Sequence, residues 1–272
     1  MNIIDLTERY IDSFLEKGDL AAYEASFPEL FGHYFEFWGH RPSFSQTLNR
    51  GEVRERRELV EKELPVIEAA LRAVGLDVSD MPVVLFVGQG YTNGHSFRHA
   101  GDFYTFLALE GYETKRQVLA HVTHEIIHAV HYTNSPDFYF ENKEEKERFS
   151  RMLITEGLAT LLTKEIMGMS EAEALWADYI SREKAAWWME RCERELKNLY
   201  AFAVERFDRS DSGSMFYSSD ENDIFAYRAG YYAGMKILAE VRRRRGMTKE
   251  DLLTAPRADL EKSVLETMKE LV

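Results

Sequence analysis

The sequence predicts an α+β fold, mainly helical, with a small sheet packed on one central helix. Three observations carry this. Apolar residues recur at helical spacing through most of the chain. Two short apolar runs, MPVVLFV at 81–87 and FYTFLAL at 103–109, break that spacing and read as strands. One helical stretch, 114–132, is apolar on most sides but keeps a single stripe of histidines. The 272 residues read as one domain in three parts: a helical part (1–80), a middle part with the strands and the central helix (81–168), and a helical C-terminal part (169–272).

Taken in order, residues 3–17 predict an amphipathic helix ended by Gly18, with Ile3, Ile4, Tyr10, Ile11, Phe14 and Leu15 on its buried side. Residues 19–40 are rich in aromatics, and such a cluster reads as core in preference to a substrate groove, because aromatic burial dominates core energetics. His33 and His40 within it read as structural histidines. Residues 51–75 predict a long charged helix, or two, kinked near Pro65 and closed by Gly75. Between the two predicted strands, Gly88-Gln89-Gly90 and Asn93-Gly94 read as a loop of turn residues, with His95 and His99 read as surface polar residues in preference to residues lining the cleft. It is not a phosphate loop, since GxxxxGK[ST] is absent.

In the central stretch, Thr114 and Gln117 have capping-box spacing, and Asn134-Ser135-Pro136 ends the helix. At a uniform step of about 100° per residue, His121, His124, Glu125, His128 and His131 share one stripe. His124-Glu125-Ile126-Ile127-His128 is an HExxH pattern. Histidines at i and i+4 lie on one helix face, where both rings can take the same metal ion, and Glu125 at the edge of that face can act on a water. With 8 His and 33 Glu in the chain, about 3% of shuffled sequences would contain the pattern by accident, so a third ligand has to be sought. Glu156 qualifies. It is the one charged residue in the run MLITEGLATLLT (152–163), and a carboxylate in a buried helix needs a cation partner or a metal. Two His and one Glu leave a fourth zinc position open, as catalytic zinc sites do.

The pattern HEIIH (124–128) followed by Thr155-Glu156-Gly157-Leu158-Ala159 resembles the gluzincin metallopeptidases, the thermolysin-like clan of zinc proteases, and is similar to families of uncharacterised predicted zinc-dependent proteases. The resemblance covers roughly 83–168. It implies a zincin-like fold, a Zn2+ cofactor held by His124, His128 and Glu156, and a peptide or protein substrate hydrolysed by a metal-activated water with Glu125 as general base. It further implies that one of the two predicted strands lies at a sheet edge beside the metal helix and pairs with extended substrate, and that a Tyr or His stabilises the oxyanion. In thermolysin the position four residues after the glutamate is an Asp that orients a histidine ligand; here it is Thr160.

The rest of the chain supplies candidates for that last role. Residues 141–148 read as the exposed start of the glutamate helix, which Gly168 ends, and 170–206 are helical. Residues 208–223 form the longest polar run, a lid or a plain linker. Residues 225–245 predict a helix in which Gly230 and Gly234 permit close packing. On that helix Tyr231 is the first candidate donor and Tyr227, four residues away and on the same face, the second; Arg228 is a candidate for holding a substrate carboxylate. Arg242–Arg245 suit the helix C-terminus and read as solvated surface. Thr248 caps a short helix, and 258–271 form the last.

Composition removes other classes. A net charge of −13 argues against nucleic acid, which demands a basic surface. The lone Cys192 excludes an internal disulfide framework. No run of about 18 apolar residues is present to span a membrane, and no basic n-region with an apolar core opens the chain, so a cytoplasmic location is the expectation. Nothing in the sequence sets an oligomeric state. Two other functions use the same residues: a metallohydrolase of non-peptide substrates, or an inactive zinc-binding interaction protein.

Overall fold

A computed structural model describes residues 1–211 and 213–272. The chain is mainly helical with one four-stranded sheet, and it divides into two compact units, Met1–Ala129 and Val130–Val272.

The first unit is built on a mixed sheet of order β1-β2-β4-β3. Strand β1 (Asn2–Asp5) runs parallel to β2 (Pro82–Phe86), and β2 runs parallel to β4 (Asp102–Ala108), with Val83 opposite Thr105. β3 (Gly94–His99) returns antiparallel on β4, with His95 opposite Phe106. The two strands read from the sequence are therefore the inner pair. Being covered on both faces is why their apolar runs are nearly continuous. Neither is an edge; the edges are β1 and β3.

Both edge strands depart from the sequence reading. Residues 3–17 are not one helix, because Ile3 and Ile4 are β-branched and pair with Val83 and Val84. Helical structure starts only at α1 (Thr7–Arg9), followed by a π-helical turn, Tyr10–Leu15. β3 occupies what reads as a turn-rich loop. Its hairpin with β4 turns at Ala100 and Gly101, both at positive φ (53° and 97°), the conformation that suits a two-residue turn.

The aromatic segment is core, as expected. It forms α2 (Leu20–Glu24) and α3 (Pro28–Phe37), and Tyr23, Phe27, Phe31 and Tyr34 are buried. Tyr23 Oη donates to the Val87 carbonyl at 3.2 Å and accepts from its N–H at 2.9 Å. Tyr34 Oη accepts from Gln89 N at 2.7 Å. Glu110 accepts from Gly88 N and Gly90 N, each at 2.9 Å, so buried groups clamp the glycine loop. Burial holds the Glu110 carboxyl above its ordinary range, against the pull of those two N–H groups. α4 (Arg50–Ala73) is one helix with Pro65 inside it, opened by an Asn49–Glu52 capping box. The central helix follows as α5 (Lys115–Gln117), a π-helical stretch Val118–Val122, and α6 (Thr123–Asn134).

The second unit holds α7 (Lys143–Lys146), α8 (Phe149–Ile166), α9 (Glu171–Trp176), α10 (Arg182–Arg206), α11 (Gly213–Phe216), α12 (Ala229–Arg245), α13 (Lys249–Thr254) and α14 (Arg257–Leu271). α7 is a separate helix and not the start of α8, and its Lys146 is buried. α8 is buried on every side from Phe149 to Thr163. It crosses α12 where two glycines meet: a Cβ on Gly157 would lie 2.6 Å from the Gly234 Cα. Gly230 similarly makes room for the Phe216 ring. Arg242 pairs with Glu165 on α8, and Arg243, Arg244 and Arg245 pair with Glu240, Glu270 and Glu266. The four arginines are thus taken up by acids of the same unit. The polar run 208–223 is not a plain loop: it contains α11, whose Met215 and Phe216 are buried, and Ser218 bridges Tyr227. Its Ser212 lies outside the described residues. Among the described residues no helix is long and apolar enough to cross a membrane.

Candidate active site

The central helix begins with the capping box read from the sequence: Thr114 Oγ1 accepts from Gln117 N at 3.2 Å, and Gln117 Oε1 accepts from Thr114 N at 3.3 Å. The π-helical stretch between the cap and α6 adds a residue to its turn. The uniform 100° step therefore fails upstream of Thr123, and the stripe of five polar residues holds in order only from His124 onward. His121 is still buried, its ring 6.3 Å from that of His124. Val118, Val122, Ile126, Ile127 and Ala129 are fully buried, which anchors the helix and fixes its rotation.

That rotation brings the motif histidines together. Nε2 of His124 and Nε2 of His128 are 3.0 Å apart, with ring centroids at 4.7 Å. The two rings are 6% and 1% exposed. At this spacing one neutral ring can donate to the other, or both lone pairs can point at one cation. Tetrahedral zinc with nitrogens at ~2.0–2.1 Å separates its ligands by roughly 3.3 Å, so the pair fits that ion with little adjustment. The donors are imidazoles and carboxylates, the set that zinc takes in catalytic sites.

Glu125 is buried as well, and its surroundings come from β3. Gly94 has no side chain, and a Cβ there would lie 3.1 Å from Glu125 Cγ. Ser96 Oγ donates to the Glu125 carbonyl at 3.3 Å. His95 Nδ1 stands 3.8 Å from Glu125 Oε2, and the His95 ring is 5.3 Å from that of His128. His95, Glu125 and His128 each offer a ligand atom within 4.8 Å of the others. His95 is 5% exposed, so the preferred reading of a surface loop histidine is wrong, while the alternative of a residue beside the site is left standing. It sits in a strand, covered on its other side by the Trp38 ring at 5.2 Å. The alternation G-H-S-F-R-H was the signal available, but buried His and Ser on a strand look like loop residues until their partners are known. His99 is half-buried, its ring against Phe27 (5.3 Å) and Tyr104 (5.1 Å).

The remaining candidates belong to the second unit. Glu156 lies mid-way along α8, 6% exposed, one residue before the Gly157 crossing. Tyr231 lies in the first turn of α12, its ring 5.8 Å from Phe216 and 4.6 Å from the Arg228 guanidinium. Tyr227 is not on that helix. Arg228 takes a left-handed conformation (φ 57°) as N-cap, so the expected shared face of Tyr227 and Tyr231 does not exist. Tyr227 is instead buried, ring to ring with Trp176 at 5.4 Å, and its carbonyl accepts from the Trp188 indole at 2.7 Å. A tyrosine the sequence reading passed over has polar company: Tyr217 Oη lies 3.3 Å from Lys146 Nζ and 3.2 Å from Glu147 Oε1. Burial holds the Lys146 ammonium below the ordinary lysine range, with Glu147 and Glu156 pulling it back up. Tyr217 is 41% exposed, yet desolvation at its hydroxyl end raises the phenol above its ordinary range, and the charges of Glu147 and Glu156 raise it further. His131 is buried against Phe138, rings 4.6 Å apart.

Comparison with known protein families gives a match. The family model described as "Predicted Zn-dependent protease (DUF2268)" aligns with residues 58–262, three quarters of the chain and all of the residues above except those of 27–38. No curated protein and no solved structure matches.

Proposed function

The chain belongs to this family of predicted zinc-dependent proteases, and on that premise we propose that it is a zinc metallopeptidase of the gluzincin kind. The observation that carries the reading is the buried His124–His128 pair, ring nitrogens 3.0 Å apart, with the Glu125 carboxylate at its side. In this reading His124, His128 and Glu156 hold the ion. Glu156 suits the third position because it is a carboxylate buried on an apolar helix, and a carboxylate beside two imidazoles is a donor set that catalytic zinc takes. Zinc so held supplies Lewis-acid chemistry, polarising a carbonyl and making a water nucleophilic at neutral pH. Glu125 takes the proton of the attacking water on its carboxylate and delivers it to the nitrogen of the leaving amine. Its burial keeps bulk water from competing for that proton. β3 replaces the inner strands as the edge on which an extended peptide would pair by strand addition, since it is an edge of the sheet and runs past Glu125. Tyr231 is the proposed oxyanion donor, with Tyr227 second. The polar contacts of Tyr217 favour it as a third candidate.

A second reading rests on the grouping of His95, Glu125 and His128. If an ion is held there, Glu125 is a ligand and cannot be the base. The functional test is a peptide-library digest with and without chelator. Cleavage that chelator abolishes and zinc restores supports the peptidase; bound zinc with no cleavage of any peptide removes it in favour of non-peptide hydrolysis or an inactive binding protein.

A further inference from the structure

Three successive residues of β3 lie close to Glu125. Gly94 leaves the space that the Glu125 Cγ approaches, and a Cβ there would also meet the Phe106 carbonyl oxygen at 2.6 Å. Ser96 Oγ ties the Glu125 carbonyl at 3.3 Å. Between them, His95 directs Nδ1 toward Glu125 Oε2 at 3.8 Å. The His95 backbone is fixed opposite Phe106, and its ring is held between Trp38 and His128. A rigid imidazole buried in this way has few alternative orientations. A glutamate has three side-chain torsions and needs something to choose among them.

We infer that Gly94-His95-Ser96 is a seat for Glu125 and that His95 is a positioning residue which sets the direction of its carboxylate; this rests on the reading of Glu125 as general base. At 3.8 Å the contact is longer than a hydrogen bond. Hydrogen bonds of catalytic groups are often long in the free protein and tighten with substrate bound. A closure of about 0.8 Å would give a charge-assisted hydrogen bond from Nδ1–H to Oε2. A base misplaced by about 1 Å can lose ~10²-fold in rate, which sets the size of effect available to such a residue.

The test uses His95→Leu, which removes the nitrogen, and His95→Asn, whose amide can restore a donor near Nδ1. Each is made alone and with Glu125→Gln, and kcat, KM, zinc content and Tm are measured with a fluorogenic peptide. His95→Leu is expected to lower kcat by roughly 10–100-fold with KM and zinc content unchanged. His95→Asn should recover part of that loss. In the Glu125→Gln background His95→Leu should have no further effect, because the residue acts only through the carboxylate. The inference is overturned if His95→Leu lowers the residual Glu125→Gln rate by the same factor, raises KM alone, or strips zinc. It is overturned too if His95→Leu is unfolded while folded His95→Asn has wild-type kcat. Full turnover in Glu125→Gln would fell the general-base reading itself, a separate result from any of these.

Discussion

Glu125 and Glu156 are buried to nearly the same extent, 8% and 6% exposed, yet the units that carry them treat the carboxylate differently. In the first unit a strand faces the acid with a glycine, a histidine and a serine, so polar groups lie around it and the strand backbone approaches it closely. In the second, the acid rides on a helix buried on all sides from Phe149 to Thr163, locked one residue away by a glycine-to-glycine crossing. The first arrangement suits a group that must pick up and hand on a proton, since its carboxylate can be steered. The second suits a group that must stay still, since close-packed helices resist displacement.

Substitutions can break or sharpen that contrast. The largest expected effect is on turnover. Glu125→Gln keeps shape and hydrogen bonding but cannot accept the proton, and should lower kcat by about 10³-fold with zinc retained. Loss of zinc together with activity would make Glu125 a ligand and erase the difference between the two acids. Next come the tyrosines. Tyr231→Phe should keep fold and zinc and lower kcat by about 10²-fold, the usual loss for one oxyanion donor. Unchanged kcat there, with a fall in Tyr217→Phe, would move the role to the tyrosine held by Lys146 and Glu147. The smallest effects are on stability. Gly234→Ala would press a Cβ against the Gly157 Cα, 2.9 Å away, and should cost about 1–3 kcal/mol by overpacking, seen as a lower calorimetric Tm. A wild-type Tm would mean that the crossing gives way easily and that α8 is no stiffer than β3.

The parts that the sequence made legible are those with local causes. The Thr114–Gln117 capping box and the Thr248 cap are present as read, the latter completed into a box by Asp251, and Gly18, Gly75, Gly168 and Gly246 close their helices at positive φ. Strands β2 and β4 were legible because both their faces are buried. The pairing of Gly230 and Gly234 was legible as a packing device, and α12 uses it against Phe216 and Gly157. What escaped depends on partners far along the chain. β1 is a strand only because β2 lies beside it, and its Ile3 and Ile4 also fit a helical rhythm with Tyr10, Ile11, Phe14 and Leu15. β3 hides because three of its four buried residues are Gly94, His95 and Ser96, which have low strand propensity, and only Phe97 reads as a strand residue. The placing of Tyr227 on one helix face with Tyr231 failed because the left-handed Arg228 breaks the helical phase, and nothing local in FAYRAG announces it. HEIIH was legible at once, its spacing being set by the helix repeat alone.

The central claim is that His124, His128 and Glu156 hold zinc while Glu125 does not. Metal analysis of the purified wild type, Glu156→Gln and Glu125→Gln tests it most directly. About one zinc per chain is expected in wild type and in Glu125→Gln, and little in Glu156→Gln. Full zinc in Glu156→Gln with depletion in Glu125→Gln would contradict the claim and assign the ion to His95, Glu125 and His128.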